Sequence, residues 1–173
     1  MAFLPLRLYP STSSTQRRHA MTSRLRRSRA LTRPYLPAAL VVFLAAATLR
    51  AAPDVVIASC DAAGEWDGGE VVADVKKTGA GALRWAHGTD ASVELTSVRA
   101  DWTTHGSVSL WLHCNTATDG AFMLILASEN GATSGMDYYS YRFEIDFTGW
   151  RYFLIPRGQF SLNRTPLGWD QIQ

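Results

Sequence analysis

Tyr141-Arg142-Phe143-Glu144-Ile145-Asp146-Phe147 decides the fold class. Tyr141, Phe143, Ile145 and Phe147 fall on one face of an extended chain, and Arg142, Glu144 and Asp146 on the other. That period of two belongs to a half-buried β-strand. Just upstream, Ser107–Cys114 alternates in the same way. Val108, Leu110, Leu112 and Cys114 lie on one face, with Ser109, Trp111 and His113 opposite. Ala121–Leu126 is apolar on both faces and predicts a central strand. Downstream, Arg151–Ile155 follows the tight Thr148-Gly149 turn and stops at Pro156, while Gly81–Trp85 and Ser92–Val98 predict two earlier strands. Turns rich in Gly, Asp, Asn and Ser separate these runs at roughly eight to twelve residues, the pattern of an all-β domain. No window longer than about ten residues holds an apolar period of 3.6, so helices should be short or absent. Antiparallel strands of this length, packed as two sheets, predict a β-sandwich or jelly roll over residues 53–173.

Charge divides the chain. Residues 1–52 hold nine arginines and no acid, out of 17 basic and 15 acidic residues in all. The remainder therefore carries eight bases against fifteen acids, a net of −7. An acidic folded part repels phosphate backbones, which argues against nucleic-acid binding. All six tryptophans lie in that part, and the chain is long enough to bury a core. The basic part reads as a leader. An arginine-rich stretch precedes the apolar run Leu36–Leu49, and small residues follow at Ala45–Ala47 and Ala51–Ala52. This is the layout of a secretory signal peptide, with cleavage after Ala47, Ala51 or Ala52. The run is short for a permanent membrane anchor. Met21 would give a more ordinary start than Met1, and Arg26–Arg27 lacks the apolar residue that follows a twin-arginine pair. Ile57-Ala58-Ser59-Cys60 has the residue types of a lipoprotein box, but Arg50, Pro53 and Asp54 separate it from the apolar run. Val55-Val56-Ile57 instead opens the first strand of the folded part. The localisation expected is exported: periplasmic, secreted or at the cell surface.

At the other end, Gly168–Gln173 predicts the beginning of a further strand, so the domain is expected to be incomplete and the chain a piece of a longer protein.

Several stretches resemble the galactose-binding-like β-sandwich domains at the front of bacterial polysaccharide lyases, the heparinase II/III type in particular. They are Lys77–Trp85, Asp101-Trp102, Val108–His113, Ser128-Glu129-Asn130 followed by Gly135–Tyr141, Asp146–Trp150, Ile155-Pro156, Phe160 and Arg164–Trp169. The resemblance covers about residues 60–173 and implies a non-catalytic, carbohydrate-associated accessory module. It implies a lyase domain further along a longer chain. It also implies a structural calcium held by Asp61 and by the Thr78–Gly81 loop, with Thr78 and Gly81 as the loop's contribution.

Read on their own chemistry, Asp61, Glu65 and Asp67 share a loop but lack the regular spacing of a dedicated calcium loop, so solvated charges explain them better. Sugars need aromatic faces beside amides, carboxylates and arginines. The loop-placed candidates are Asn130, Asp137, Tyr138, Tyr139 and Trp169, whereas Trp85, Trp111 and Trp150 sit in strand patterns as core or sheet-face residues. His19, His87, His105 and His113 have no metal-like spacing. There is no nucleophile elbow and no phosphate loop, and no pair of carboxylates stands out for glycoside hydrolysis. Cys60 and Cys114 are the only cysteines. An exported compartment permits a disulfide between them, and two buried free thiols are the alternative. Function divides three ways: a carbohydrate-associated accessory domain, a purely structural domain packing on a downstream one, or, least supported, a hydrolase.

Overall fold

A computed structural model describes residues 53–86, 88–95 and 97–173, together with the backbone of residues 2–3 and 6–10. The apolar run expected to form the signal helix lies outside the described residues. Twelve strands are assigned among the described residues. They are β1 (Ala2–Phe3), β2 (Leu6–Pro10), β3 (Val55–Ala58), β4 (Trp66–Asp67), β5 (Glu70–Val72), β6 (Ala82–Arg84), β7 (Glu94–Leu95), β8 (His105–Cys114), β9 (Ala121–Ala127), β10 (Tyr138–Glu144), β11 (Gly149–Pro156) and β12 (Ser161–Asn163). The only helical element among them is the three-residue 3-10 turn Arg157–Gln159. The described residues are all-β, and every pairing among them is antiparallel.

The largest sheet has seven strands built around β8. β11 runs along one edge of β8, and β2 and β1 run in tandem along the other. β3 lies beyond β2, and β6 then β5 lie beyond β1. A second sheet has the order β12-β10-β9, and β4 pairs with β7. The two larger sheets share one core. Leu83, Val108, Leu110, Leu112 and Ile155 from the first pack with Leu126, Tyr139 and Phe143 from the second. Alternation accounts for this division, because each strand sends every second side chain to the same face. Phe143 is the hub of the aromatic packing. Its ring lies 4.6 Å from Phe122 in a stacked arrangement, and 4.8 Å from Phe153 and 4.9 Å from Tyr141 edge-on.

Several sequence expectations are revised. The Tyr141–Phe147 strand begins earlier, at Tyr138, and its ladder ends at Glu144. Ile145 and Phe147 are nevertheless buried, so the alternation outlasts the pairing. β9 is not central: β10 takes that place, and Met123 and Ile125 on β9 are 46% and 45% exposed. Apolar residues on both faces do not distinguish a central strand from one whose outer face is left open. Ser92–Val98 yields only Glu94–Leu95 as strand. Residues 168–173 form a turn and an irregular end rather than a strand. Ile172 is buried, with its amide donating to the Ala100 carbonyl, and the Gln173 amide donates to the Ala127 carbonyl. Two strands, β1 and β2, lie within the segment that composition assigns to the leader.

Cys60 and Cys114 are both buried and unbonded, the second of the two alternatives that the sequence leaves open. Burial pushes the Cys60 thiol up to about 12, and it raises Cys114 as well. Thiolate is the reactive form. A thiol reagent at neutral pH should therefore find neither group in the native protein and both after denaturation without reductant. A denatured chain that stays unreactive until reductant is added would show a disulfide instead.

Candidate functional site

The loop-placed sugar candidates converge, and the fold uses most of their polar capacity. Asp137, fully buried, immediately precedes β10. One carboxylate oxygen accepts from the Thr165 amide at 2.8 Å and the Thr165 hydroxyl at 3.2 Å, with the Arg164 guanidinium 3.6 Å away. The other accepts from the Thr133 hydroxyl and, at 3.4 Å, from the Asn130 amide. A carboxylate offers about four lone-pair positions, so little remains for a sugar hydroxyl. The Thr133 hydroxyl first, and the Thr165 amide next, hold this carboxyl below the ordinary aspartate range.

Asn130 donates from its side chain to the Thr165 carbonyl at 3.2 Å and accepts from the Ala132 amide at 3.1 Å. Ser128, also fully buried, exchanges bonds with Gly168: its hydroxyl donates to the Gly168 carbonyl at 3.0 Å and accepts from the Gly168 amide at 3.1 Å. The Ser128-Glu129-Asn130 and Arg164–Trp169 stretches are thus two halves of one clamp. Tyr139 is buried and stacks on Trp169 at 4.5 Å. Tyr138 is half-buried at the start of β10.

The calcium candidates are arranged for a different task. Asp61 directs one oxygen at the Ala80 amide, 2.7 Å away, and at the Gly81 amide, 3.0 Å away. Gly79 lets the turn close on that carboxylate: its φ is +74°, and a Cβ there would stand 2.4 Å from the Asp61 oxygen. The turn therefore presents N–H groups to an anion, where a cation would require carbonyl oxygens. The Ala80 carbonyl of the same turn accepts from the Lys76 ammonium at 3.1 Å. Thr78 is exposed in the same turn. Glu65 takes the Ser59 hydroxyl at 3.3 Å, and Asp67 is exposed. Among the described residues no three metal-binding side chains gather.

A third group of residues comes together on the outer face of the seven-stranded sheet. β8 and β11 pair Trp111 with Tyr152 and His113 with Trp150. The Trp111 and Tyr152 rings are 5.1 Å apart and the His113 and Trp150 rings 5.0 Å apart. Lys77 places its ammonium 3.7 Å from the centre of the Trp111 ring. Tyr152 is 41% exposed, and Trp111, His113 and Trp150 are half-buried. Burial lowers the His113 pKa, favouring the uncharged ring. Alternation in Ser107–Cys114 already sets Trp111 and His113 on the face away from the core. Recognising the row as such needs the Gly149↔Cys114 register, which the sequence does not show. His105 is buried, with a ring nitrogen 3.1 Å from the Thr104 hydroxyl; His19 and His87 lie outside the described residues. Comparison of the chain with protein-family models, with curated proteins and with solved structures finds no match.

Proposed function

We propose that residues 53–173 are a non-catalytic, carbohydrate-associated β-sandwich of the galactose-binding-like, jelly-roll kind, exported behind a signal peptide. On this reading the module is an accessory to a polysaccharide-degrading enzyme of lyase type, and its partners are a polysaccharide or a catalytic domain of the same longer chain. The observation that carries the reading is the row of Trp111, Tyr152 and Trp150 on one sheet face. Sugar C–H faces pack on such rings, and rings set on two neighbouring strands offer contacts to more than one sugar of a chain. The resemblance in Ser128–Tyr141 and Arg164–Trp169 supports the family assignment, although the clamp accounts for those residues structurally.

Affinity electrophoresis of the full chain in gels cast with acidic or neutral polysaccharides tests the reading. Retardation is expected, and Trp111→Ala or Tyr152→Ala should weaken it about tenfold, the equivalent of roughly 1.4 kcal/mol. Tyr138→Ala should change it little. Unchanged mobility in every gel would overturn the sugar-binding role.

A second reading, a structural domain that packs on a neighbour, is favoured by a different observation. Met123 and Ile125 are exposed on the outer face of β9, on the other larger sheet from the aromatic row. Apolar side chains in such a position suit a protein contact better than a sugar.

A further inference from the structure

The seven-stranded sheet is held together by a segment far away in sequence from the strands it joins. On its β11-free edge, β8 is paired only with β2, through Arg7↔Ser109 and Leu8↔Val108, and with β1, through Phe3↔Leu112, among the described residues. The other edge of the same segment pairs with β3, through Arg7↔Val56 and Leu8↔Val55, and with β6, through Phe3↔Leu83. Residues 2–3 and 6–10 therefore occupy a lane one strand wide. Without them, β3 and the β6–β5 pair have no ladder to β8 among the described residues. The lane is bordered by core positions, since Val108, Leu112, Leu83 and Ala58 are all buried. Unpaired N–H and C=O groups along both its edges would be costly, because buried backbone groups that lose their partners cannot turn to water.

The occupant matches the lane by register. Phe3 stands between Leu83 and Leu112, and Leu8 between Val55 and Val108. Arg7 stands between Ser109, which is buried, and Val56, which is 48% exposed. The apolar residues Phe3 and Leu8 stand at the core rows. The join is loose in covalent terms, because residues 11–52 separate β2 from β3. A strand on so long a tether is presented at roughly millimolar effective concentration, within reach of competition by a free segment.

We propose that this lane is a strand-acceptor site: it binds one extended polypeptide strand with apolar residues in the core rows, and β1 and β2 are what serve it here. Removal of the leader, as in the function proposed above, would vacate the lane. The exported module would then be ready to take such a strand from a partner polypeptide. The site lies along the edges of β8, β3 and β6, and needs nothing from the aromatic row.

Cross-linking in the full chain tests it. The pair Arg7→Cys and Ser109→Cys should form a disulfide under mild oxidation, and the pair Arg7→Cys and Met123→Cys, on different sheets, should not. A peptide of residues 2–10 without cysteine, at about ten times the millimolar effective concentration, should lower the first yield about tenfold. The same peptide with Phe3→Asp and Leu8→Asp should leave it unchanged. Failure of Arg7→Cys to link to Ser109→Cys would overturn the placement, and a yield insensitive to the native peptide would overturn exchange. In a full chain carrying Phe3→Asp, Leu8→Asp and Ser109→Cys, a peptide with cysteine at position 7 should become attached; absence of attachment in a folded variant would overturn the acceptor site. These outcomes do not depend on polysaccharide retardation, so the two readings fail separately.

Discussion

Replacing Phe143 by alanine is expected to lower the unfolding free energy by about 3–5 kcal/mol, among the largest effects of a single truncation in the domain. The ring is buried and meets Phe122, Phe153 and Tyr141 within 5 Å. Removing it deletes transferred apolar surface and leaves a void that rings on two different sheets would have to close. Since β9, β10 and β11 each contribute one of those contacts, the surroundings cannot collapse without moving a strand. Thermal unfolding followed by circular dichroism should show a fall in Tm of about 10–20 °C. Met123→Ala, on the exposed side of β9, should stay within about 0.5 kcal/mol of the native protein. Equal effects for the two would show that the ring does not have the environment described.

The second large effect is expected at Asp137. Its carboxylate joins two segments, 130–133 and 164–165, through hydroxyl and amide donors. Asp137→Ala removes the acceptors and strands those donors inside, which should lower Tm by about 10 °C. Asp137→Asn keeps one carbonyl acceptor and should fall between the alanine variant and the native protein. The sign of the pH dependence follows from the depressed pKa. The folded state binds this proton less readily than the unfolded chain, whose aspartate titrates near about 4. The contribution is therefore complete above that value and lost as pH falls through the lower, folded value. Chemical denaturation should show a loss of stability on acidification that is smaller in Asp137→Asn. An identical acid profile in the two proteins would remove Asp137 as its source.

Both predictions depend on features that differ in how legible they are. Phe143 could be placed on the buried face from Tyr141–Phe147 alone, because a period of two needs only the strand's own residues. The same holds for Val108, Leu110 and Leu112. Periodicity says nothing about neighbours, which is why β9 reads as central when β10 is. The role of Asp137 is harder to foresee. Its donors include Thr165, 28 positions downstream, and a buried, saturated carboxylate looks in sequence like an exposed one beside tyrosines. Asp61 was legible as the partner of a glycine turn, but not the sign of that partnership, which depends on which end of the peptide unit faces the carboxylate. At the N-terminus, nine arginines dominate the composition and conceal the short apolar spacing of Phe3, Leu6 and Leu8 that the lane accepts.

The Ala80 turn has a consequence for how the protein meets its surroundings. Its anion is Asp61 and its cation is Lys76, both part of the chain. A loop that borrows a mineral ion shares the fate of that ion's supply and loosens when the medium is soft or a chelator competes. Here the neutralising charge travels with the polypeptide, at a fixed stoichiometry that dilution cannot change. The shape of this corner is then a property of the chain rather than of the water around it.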